Sequence, residues 1–203
     1  LSGTRGSGTI FFSHCNMKCV YCQNYYFSQL DKGENASIEK LSNMMLALQK
    51  KGCHNINLVS PTHFVPQILR AFEIALGKGL DIPLVYNTSG YDSIETIRLL
   101  DGIVDIYMPD MRYSNNEMAK TYSDAPDYVE QNRSSVKEMH RQVGDLILDS
   151  NGIAQKGIIV RLLVMPRSIS GTEQSLRFIK DNLSQNSYLS IMSQYYPTFK
   201  SYN

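Results

Sequence analysis

The sequence has no tryptophan, only four cysteines, and no excess of charge of either sign. Twenty basic and nineteen acidic residues give a formal net charge of +1, so nothing points to nucleic acid or to an anionic membrane. No apolar run approaches the roughly 20 residues that cross a bilayer, and no signal peptide is visible. Four cysteines suit a reducing cytoplasm better than a disulfide scaffold. The composition therefore favours a cytoplasmic, globular protein, and Leu1 in place of methionine suggests that N-terminal residues are missing.

Short apolar runs alternate with segments of helical periodicity along the whole chain. The runs predict six strands, at residues 8–13, 56–59, 84–88, 103–108, 158–165 and 189–193. Ser37 is a candidate N-cap for the first long helix, and Asn151-Gly152 predicts a hairpin turn before the fifth strand. Strands that alternate with helices are typical of parallel βαβ units. Because a closed eight-stranded barrel takes about 250 residues, we predict one α/β domain over 1–203, an open (β/α)6 partial TIM barrel with parallel strands.

Three of the four cysteines, Cys15, Cys19 and Cys22, fall in one short loop after the first predicted strand. Thiolates hold iron–sulfur clusters, normally four for each cluster, so three would leave one corner of a four-iron cluster open for another ligand. The alternative is a structural zinc site with His14 as the fourth ligand. The fourth cysteine, Cys53, stands alone and is predicted to be a buried structural thiol.

The run Cys15-x3-Cys19-x-Tyr21-Cys22 resembles the signature of the radical S-adenosylmethionine (SAM) superfamily. Its flanks, residues 6–13 and 22–25, are similar to those of pyruvate formate-lyase activating enzymes and their homologues. The resemblance implies a partial TIM barrel, a [4Fe-4S] cluster on the three cysteines, and SAM chelated at the fourth iron. It also implies reductive cleavage of SAM to methionine and a 5′-deoxyadenosyl radical, which in the activating enzymes removes a hydrogen atom from a glycine of a glycyl-radical enzyme.

The same resemblance implies SAM contacts at the carboxyl ends of the predicted strands, where the loops of such barrels converge. Ser60 and Thr62 stand where many members receive the SAM amino group, although the usual Gly-Gly-Glu letters are absent and a plain turn is an alternative. Asn87-Thr88 resembles the Asp-Thr of the activators, with an amide in place of the acid, which puts a monovalent cation site in question. The complete set of predicted cofactor contacts is Tyr21, Ser60, Thr62, Asn87, Thr88, Asp110, Arg112, Arg161 and Gln194.

Three of these residues are charged. Asp110 and Arg112 match the activators' acid and base after the fourth strand, and a surface ion pair of little energetic value is the alternative. Arg161 lies inside an apolar strand, where a guanidinium is costly unless it is paired with an anion. We therefore expect Arg161, and with it Arg112, to face the SAM carboxylate.

Three functions remain open from the sequence. The first is an activating enzyme that takes electrons from reduced flavodoxin or ferredoxin and acts on a glycyl-radical enzyme. The second is a radical SAM enzyme with a different small-molecule or peptide substrate. The third is a non-catalytic iron–sulfur or zinc-binding module.

Overall fold

The computed structural model describes residues 1–202 as alternating strands and helices. The strands are β1 Gly8–Phe11, β2 Ile56–Val59, β3 Leu84–Thr88, β4 Ile106–Pro109, β5 Ile147–Leu148, β6 Ala154–Leu163 and β7 Tyr188–Met192. The helices are α1 Tyr25–Ser28, α2 Ile38–Lys50, α3 Val65–Gly77, α4 Ile94–Leu99, α5 Asn116–Ser123, α6 Tyr128–Val143 and α7 Thr172–Asn182. None of the helices within the described residues is long and apolar enough to span a membrane.

Six strands form one parallel sheet in the order β1-β2-β3-β4-β6-β7. Over the described residues β1 pairs only with β2, and β7 only with β6, so the sheet does not close. The short β5 adds an antiparallel partner to the first residues of β6. The parallel strands therefore form an open sheet, as predicted. The predicted hairpin turn lies between β5 and β6, which is the fifth of the parallel strands along the chain.

Alternating side chains divide the sheet into two faces. Leu58, Tyr86 and Tyr107 occupy paired positions on neighbouring strands and belong to the main core between the sheet and the helices. The opposite face contains a smaller core, formed by Val85, Ile106, Met108, Ala154 and Ile159. Asn87 pairs with Met108, and Asp110 with Arg161, so these polar positions continue the second face towards the carboxyl ends of the strands.

Three strands begin at different residues from those predicted, and the smallest difference is that of β7, which begins at Tyr188 rather than at residue 189. Ile103 and Val104 belong to a turn in which both backbone N–H groups donate to the carbonyl of Leu100, so β4 begins only at Ile106. Of the strand expected at 158–165, residues 158–163 belong to β6, which ends at Leu163 and begins at Ala154 because its first residues pair with β5. Apart from these, 56–59 and 84–88 agree with β2 and β3 residue for residue.

Helix ends follow from local sequence. The hydroxyl of Ser37 accepts from the N–H of Lys40, as the predicted N-cap of α2 should. The side chain of Asn115 likewise accepts from the N–H of Met118 and begins α5, a helix that the apolar periodicity does not predict. This helix matters because it supplies Ser123 to the site described next.

Candidate active site

The cysteine loop follows β1 and is held in place by backbone hydrogen bonds. The N–H of His14 donates to Phe27 in α1, and the N–H groups of Lys18 and Val20 donate to the carbonyls of Ser123 and Tyr122 at the end of α5. The loop is therefore fixed at one end by the helix that follows it and at its centre by a helix about a hundred residues later.

Each of the three thiols in the loop has a hydrogen-bonding neighbour. The N–H of Met17 lies 3.4 Å from Cys15 Sγ, and Ser28 Oγ lies 3.1 Å from Cys22 Sγ. Cys19 is 4% exposed, and Ser123 Oγ lies 3.0 Å from its sulfur. Such donors stabilise thiolates, the form in which cysteine binds metals.

Burial has the opposite effect on two of these thiols, because it disfavours the charged thiolate form. It raises the pKa of the Cys15 thiol to about 11, against a smaller lowering by the N–H of Met17. Burial also raises the pKa of Cys19, with Arg112 and Ser123 opposing the shift. Metal groups bind thiolates, so binding at thiols with raised pKa values releases protons.

A second group of charges lies next to Cys19. Asp110, 6% exposed, accepts one hydrogen bond from Arg112 Nη2 at 2.6 Å and another from Arg161 Nε at 2.7 Å. Both arginine side chains are 23% exposed, so the surface ion pair considered for Asp110 and Arg112 is wrong. Burial alone would lower the pKa of Arg112, but Asp110 and Cys19 raise it well above its usual value. Two guanidiniums share one carboxylate, which leaves a net positive charge.

Three buried polar atoms near this group have no hydrogen-bond partner among the described residues. They are Arg112 Nε, Ser89 Oγ and Asn132 Oδ1. Asn132 uses its amide nitrogen to hold the carbonyls of Gly90 and Asp110, so it joins the loops after β3 and β4. Buried polar groups are normally paired. These three atoms are therefore candidates to form hydrogen bonds with a polar ligand.

The loops after β2 and β3 meet around a buried carboxyl group. Asp92, 1% exposed, accepts hydrogen bonds from Thr62 Oγ1 at 2.8 Å, Thr88 Oγ1 at 2.6 Å and Tyr86 Oη at 3.0 Å. Burial raises the pKa of Asp92, and the three hydroxyl donors oppose that shift. The N–H of Ser60 donates to the carbonyl of Asn87 at 3.0 Å and ties the loop after β2 to the end of β3.

The predicted contacts divide into those that lie together and those that do not. Thr62 and Thr88 meet at Asp92, and Asp110, Arg112 and Arg161 form the charged group. Tyr21 is buried with its hydroxyl against that of Tyr113, while Gln194 is exposed, two residues beyond β7. Sequence reasoning missed Asp92, Tyr113 and Ser123, since only the folded chain brings them to the predicted residues.

Two further expectations concern metal ligands. His14 Nε2 lies 3.2 Å from Asp31 Oδ1 at the surface rather than among the thiols. Among residues 1–202, no three His, Cys, Asp or Glu side chains converge on a point that could hold a single metal ion. The ligands of a four-iron cluster bind separate corners and need no such convergence. Cys53 is half-buried rather than buried.

Comparison with known proteins gives a match to one family model and to one relative of similar sequence. The sequence model of the radical SAM superfamily matches residues 9–149, which is more than half of the chain. The uncharacterized protein MJ0674 of Methanocaldococcus jannaschii is 34% identical over 203 residues, an alignment that covers 96% of this chain and 55% of that protein. The chain thus spans about half the length of this relative.

Solved structures show the same fold at low sequence identity. The hydrogenase maturase HydG from Carboxydothermus hydrogenoformans aligns with a TM-score of 0.66 and 12% identity, covering 96% of this chain and 46% of that one. Methylornithine synthase aligns with a TM-score of 0.60 and 14% identity, covering 93% and 53%. The enzyme anSMEcpe, with bound AdoMet and a peptide, aligns with a TM-score of 0.59 and 13% identity, covering 92% and 50%. The chain therefore has the α/β fold, with a mostly parallel sheet, of these partial barrels.

Proposed function

The chain belongs to the radical SAM superfamily, and on that premise we propose that Cys15, Cys19 and Cys22 hold its cluster and that its substrate is a glycine of a glycyl-radical enzyme. Its cofactors are a [4Fe-4S] cluster and SAM, which together supply a 5′-deoxyadenosyl radical when an electron is delivered. Everything else in the reaction is binding, orientation and exclusion of water by this chain's own residues.

The thiols of the loop fit the cluster. Each has a hydrogen-bonding neighbour, and Cys19 has a guanidinium beside it, with Arg112 Nη1 at 3.6 Å from the sulfur. Positive charge and donors at the sulfurs suit an assembly of thiolates. Three cysteine ligands leave one iron without a protein side chain, which supports a role in binding SAM there.

The charged group fits the SAM carboxylate. Asp110 neutralises only one of the two guanidiniums, and the buried Nε of Arg112 has no partner among the described residues. A carboxylate would neutralise the remaining charge and accept from that N–H, and a guanidinium is well shaped for such a ligand. This arrangement of Asp110, Arg112 and Arg161 beside Cys19 is the observation that carries the proposal, because these are the positions that match the activating enzymes.

The two threonines fit the SAM amino group. Thr62 and Thr88 each direct their hydroxyl hydrogen to Asp92. The oxygen of Thr62 is left as an acceptor, and that of Thr88, which already accepts from the N–H of Gly90 at 3.1 Å, keeps one lone pair. An ammonium group is a donor only. Ser60 lies in the same loop as Thr62 and adds a polar group at this place, whereas Asn87 lies in β3 and belongs to the other face of the sheet, that of Asp110 and Arg161.

Aromatic side chains beside the cysteine loop offer a surface for a protein substrate. Tyr25 stacks between Tyr26, at 4.4 Å, and Phe199, at 4.7 Å between ring centroids, and Tyr26 is 58% exposed. Exposed aromatic groups are common at protein interfaces. This supports a partner that presents a loop to the cluster, as a glycyl-radical enzyme would.

The test begins with the anaerobically reconstituted protein, reduced in the presence of SAM. We expect methionine and 5′-deoxyadenosine as products, and a glycyl radical signal in electron paramagnetic resonance when the correct glycyl-radical enzyme is added. The matched control is that enzyme with its glycine changed to alanine, which should give no signal. Cleavage without a radical on any candidate enzyme would indicate a different small-molecule or peptide substrate, and no cleavage at all a non-catalytic module.

A further inference from the structure

Cys19 differs from the other two cysteines of the loop in its surroundings. It is the buried one, at 4% exposed, whereas Cys15 and Cys22 are half-buried. Two donors from distant parts of the chain reach its sulfur, the guanidinium of Arg112 at 3.6 Å and the hydroxyl of Ser123 at 3.0 Å. One sulfur therefore has beside it a hydroxyl dipole and a guanidinium in a place with little water. That guanidinium belongs to a group of net positive charge, because Asp110 neutralises only one of Arg112 and Arg161.

The hydroxyl of Ser123 is the last member of a buried chain. Tyr113 Oη lies 2.6 Å from Ser123 Oγ, and Tyr21 Oη lies 2.7 Å from Tyr113 Oη. A thiolate has no hydrogen to donate, so the single hydroxyl hydrogen of Ser123 must point to Cys19. The hydrogen of Tyr113 must then point to Ser123, and that of Tyr21 to Tyr113. All three dipoles are thereby aligned towards the sulfur, and aligned hydrogen bonds strengthen one another.

We propose that Arg112 and the Tyr21–Tyr113–Ser123 chain raise the reduction potential of the cluster through the thiolate of Cys19. The potential of an iron–sulfur cluster is set by net charge, by hydrogen bonds to its sulfurs and by exposure to solvent. The reduced cluster carries one more negative charge than the oxidised cluster, so a cation and inward-pointing donors stabilise the reduced form more. The effect is large because all three hydroxyl side chains are buried, at 5%, 1% and 0% exposed.

The inference depends on the cluster but not on the identity of the substrate. It assigns a positioning role to Tyr21, the aromatic residue of the cysteine motif, through its hydroxyl rather than its ring. It also assigns a role to α5. This helix ends at Ser123, and its last two backbone carbonyls accept hydrogen bonds from the cysteine loop.

The experiment is a redox titration of the reconstituted full chain without SAM, followed by electron paramagnetic resonance of the reduced cluster. In Arg112→Gln we expect the midpoint potential to fall, so that the ratio of reduced to oxidised cluster at a fixed potential drops about tenfold, which corresponds to about 59 mV for one electron. Ser123→Ala and Tyr113→Phe should shift the potential in the same direction by less, with Ser123→Ala the larger of the two.

Two control variants separate this effect from general perturbation. Lys18→Gln removes a cation adjacent to Cys19 in sequence, but its side chain is 72% exposed and pairs with Asp124. Tyr107→Phe removes a buried hydroxyl that donates to Gln142 instead. Both should keep the potential of the unmodified protein.

The hydroxyl variants decide the question even where Arg112→Gln fails to take up iron. Unchanged potentials in iron-loaded Ser123→Ala and Tyr113→Phe would overturn the inference. If the midpoint potentials of the variants shift as expected but the protein forms no glycyl radical on any candidate enzyme, only the proposed substrate is refuted.

Discussion

Arg161 Nε donates to Asp110 Oδ1 across 2.7 Å, although the two residues are 51 positions apart in the sequence. They face each other because β4 and β6 are neighbours and their parallel register continues to these two positions. Arg112 completes the group from the other oxygen of the same carboxylate. The sheet thus brings one carboxylate and two guanidinium groups to the carboxyl ends of adjacent strands, close to the cysteine loop.

Removal of the shared carboxylate should destabilise the protein. Asp110→Asn leaves two guanidiniums without their anion in a group where the carboxylate is 6% exposed. We expect the free energy of unfolding to fall by about 2–3 kcal/mol, at the low end for a broken buried pair because the arginines are partly solvated. Chemical denaturation measures this.

The matched control is Asp101→Asn, which removes an exposed partner of Arg141. Exposed pairs contribute little, so the change should stay within about 0.5 kcal/mol. Equal effects of the two substitutions would show that the Asp110 group is no more important to the fold than a surface pair.

Cluster binding should depend on the loop cysteines and not on the fourth. Cys19→Ala removes a thiol that is central to the site, and we expect loss of iron and of the visible absorption after anaerobic reconstitution. Cys53→Ala should load as the unmodified protein does, because Cys53 lies just before β2 and away from the loop. Zinc found by elemental analysis in a colourless protein would instead favour the structural zinc site.

The strands and the cysteine loop could be predicted because their signals are local. Short apolar runs with turn residues on both sides define β2 and β3, and the spacing of Cys15, Cys19 and Cys22 is visible in eight letters. The need of Arg161 for an anion was also predictable, since a charge inside an apolar strand requires one. The anion in the structure is the carboxylate of Asp110, and the contact with the SAM carboxylate stays a prediction.

The surroundings of the cysteines could not be predicted in this way. Ser123 reaches Cys19 across 104 positions, from the end of a short and mostly polar helix, α5. Asp92 is an ordinary loop residue in the sequence. Its partners Tyr86 and Thr88 come from β3, six and four positions earlier, and packing of the loop after β2 adds Thr62. The contacts of Ser123 and Thr62 arise from tertiary packing, which a single sequence does not show.

Stability should fall in acid because of Glu138. Hydrogen bonds from Arg141 lower the pKa of this carboxyl from 4.5 to about 2, against an opposing effect of burial. A lowered pKa in the folded state means that the stabilising charge is fully present above pH 4.5 and is lost as the pH falls towards 2. Unfolding curves between pH 6 and 3 should therefore show a smaller loss of stability in Glu138→Gln than in the unmodified protein. Parallel curves would show that Glu138 has the same pKa in both states.

The buried carboxyl of Asp92 should control SAM affinity without touching SAM. As an acceptor it holds the hydroxyl hydrogens of Thr62 and Thr88, so both oxygens face a ligand as acceptors only, although that of Thr88 has one lone pair occupied by the N–H of Gly90. In Asp92→Asn the new amide group is a donor, so at least one threonine must accept from it and turn its own hydrogen towards the ligand. We expect the dissociation constant of SAM, measured by anaerobic calorimetry, to rise about tenfold, or about 1.4 kcal/mol. Tyr86→Phe is the matched control, because it removes the third hydroxyl from Asp92 but leaves both threonines as they are. If Asp92→Asn folds normally and binds SAM as tightly as Tyr86→Phe does, the threonines do not receive the amino group.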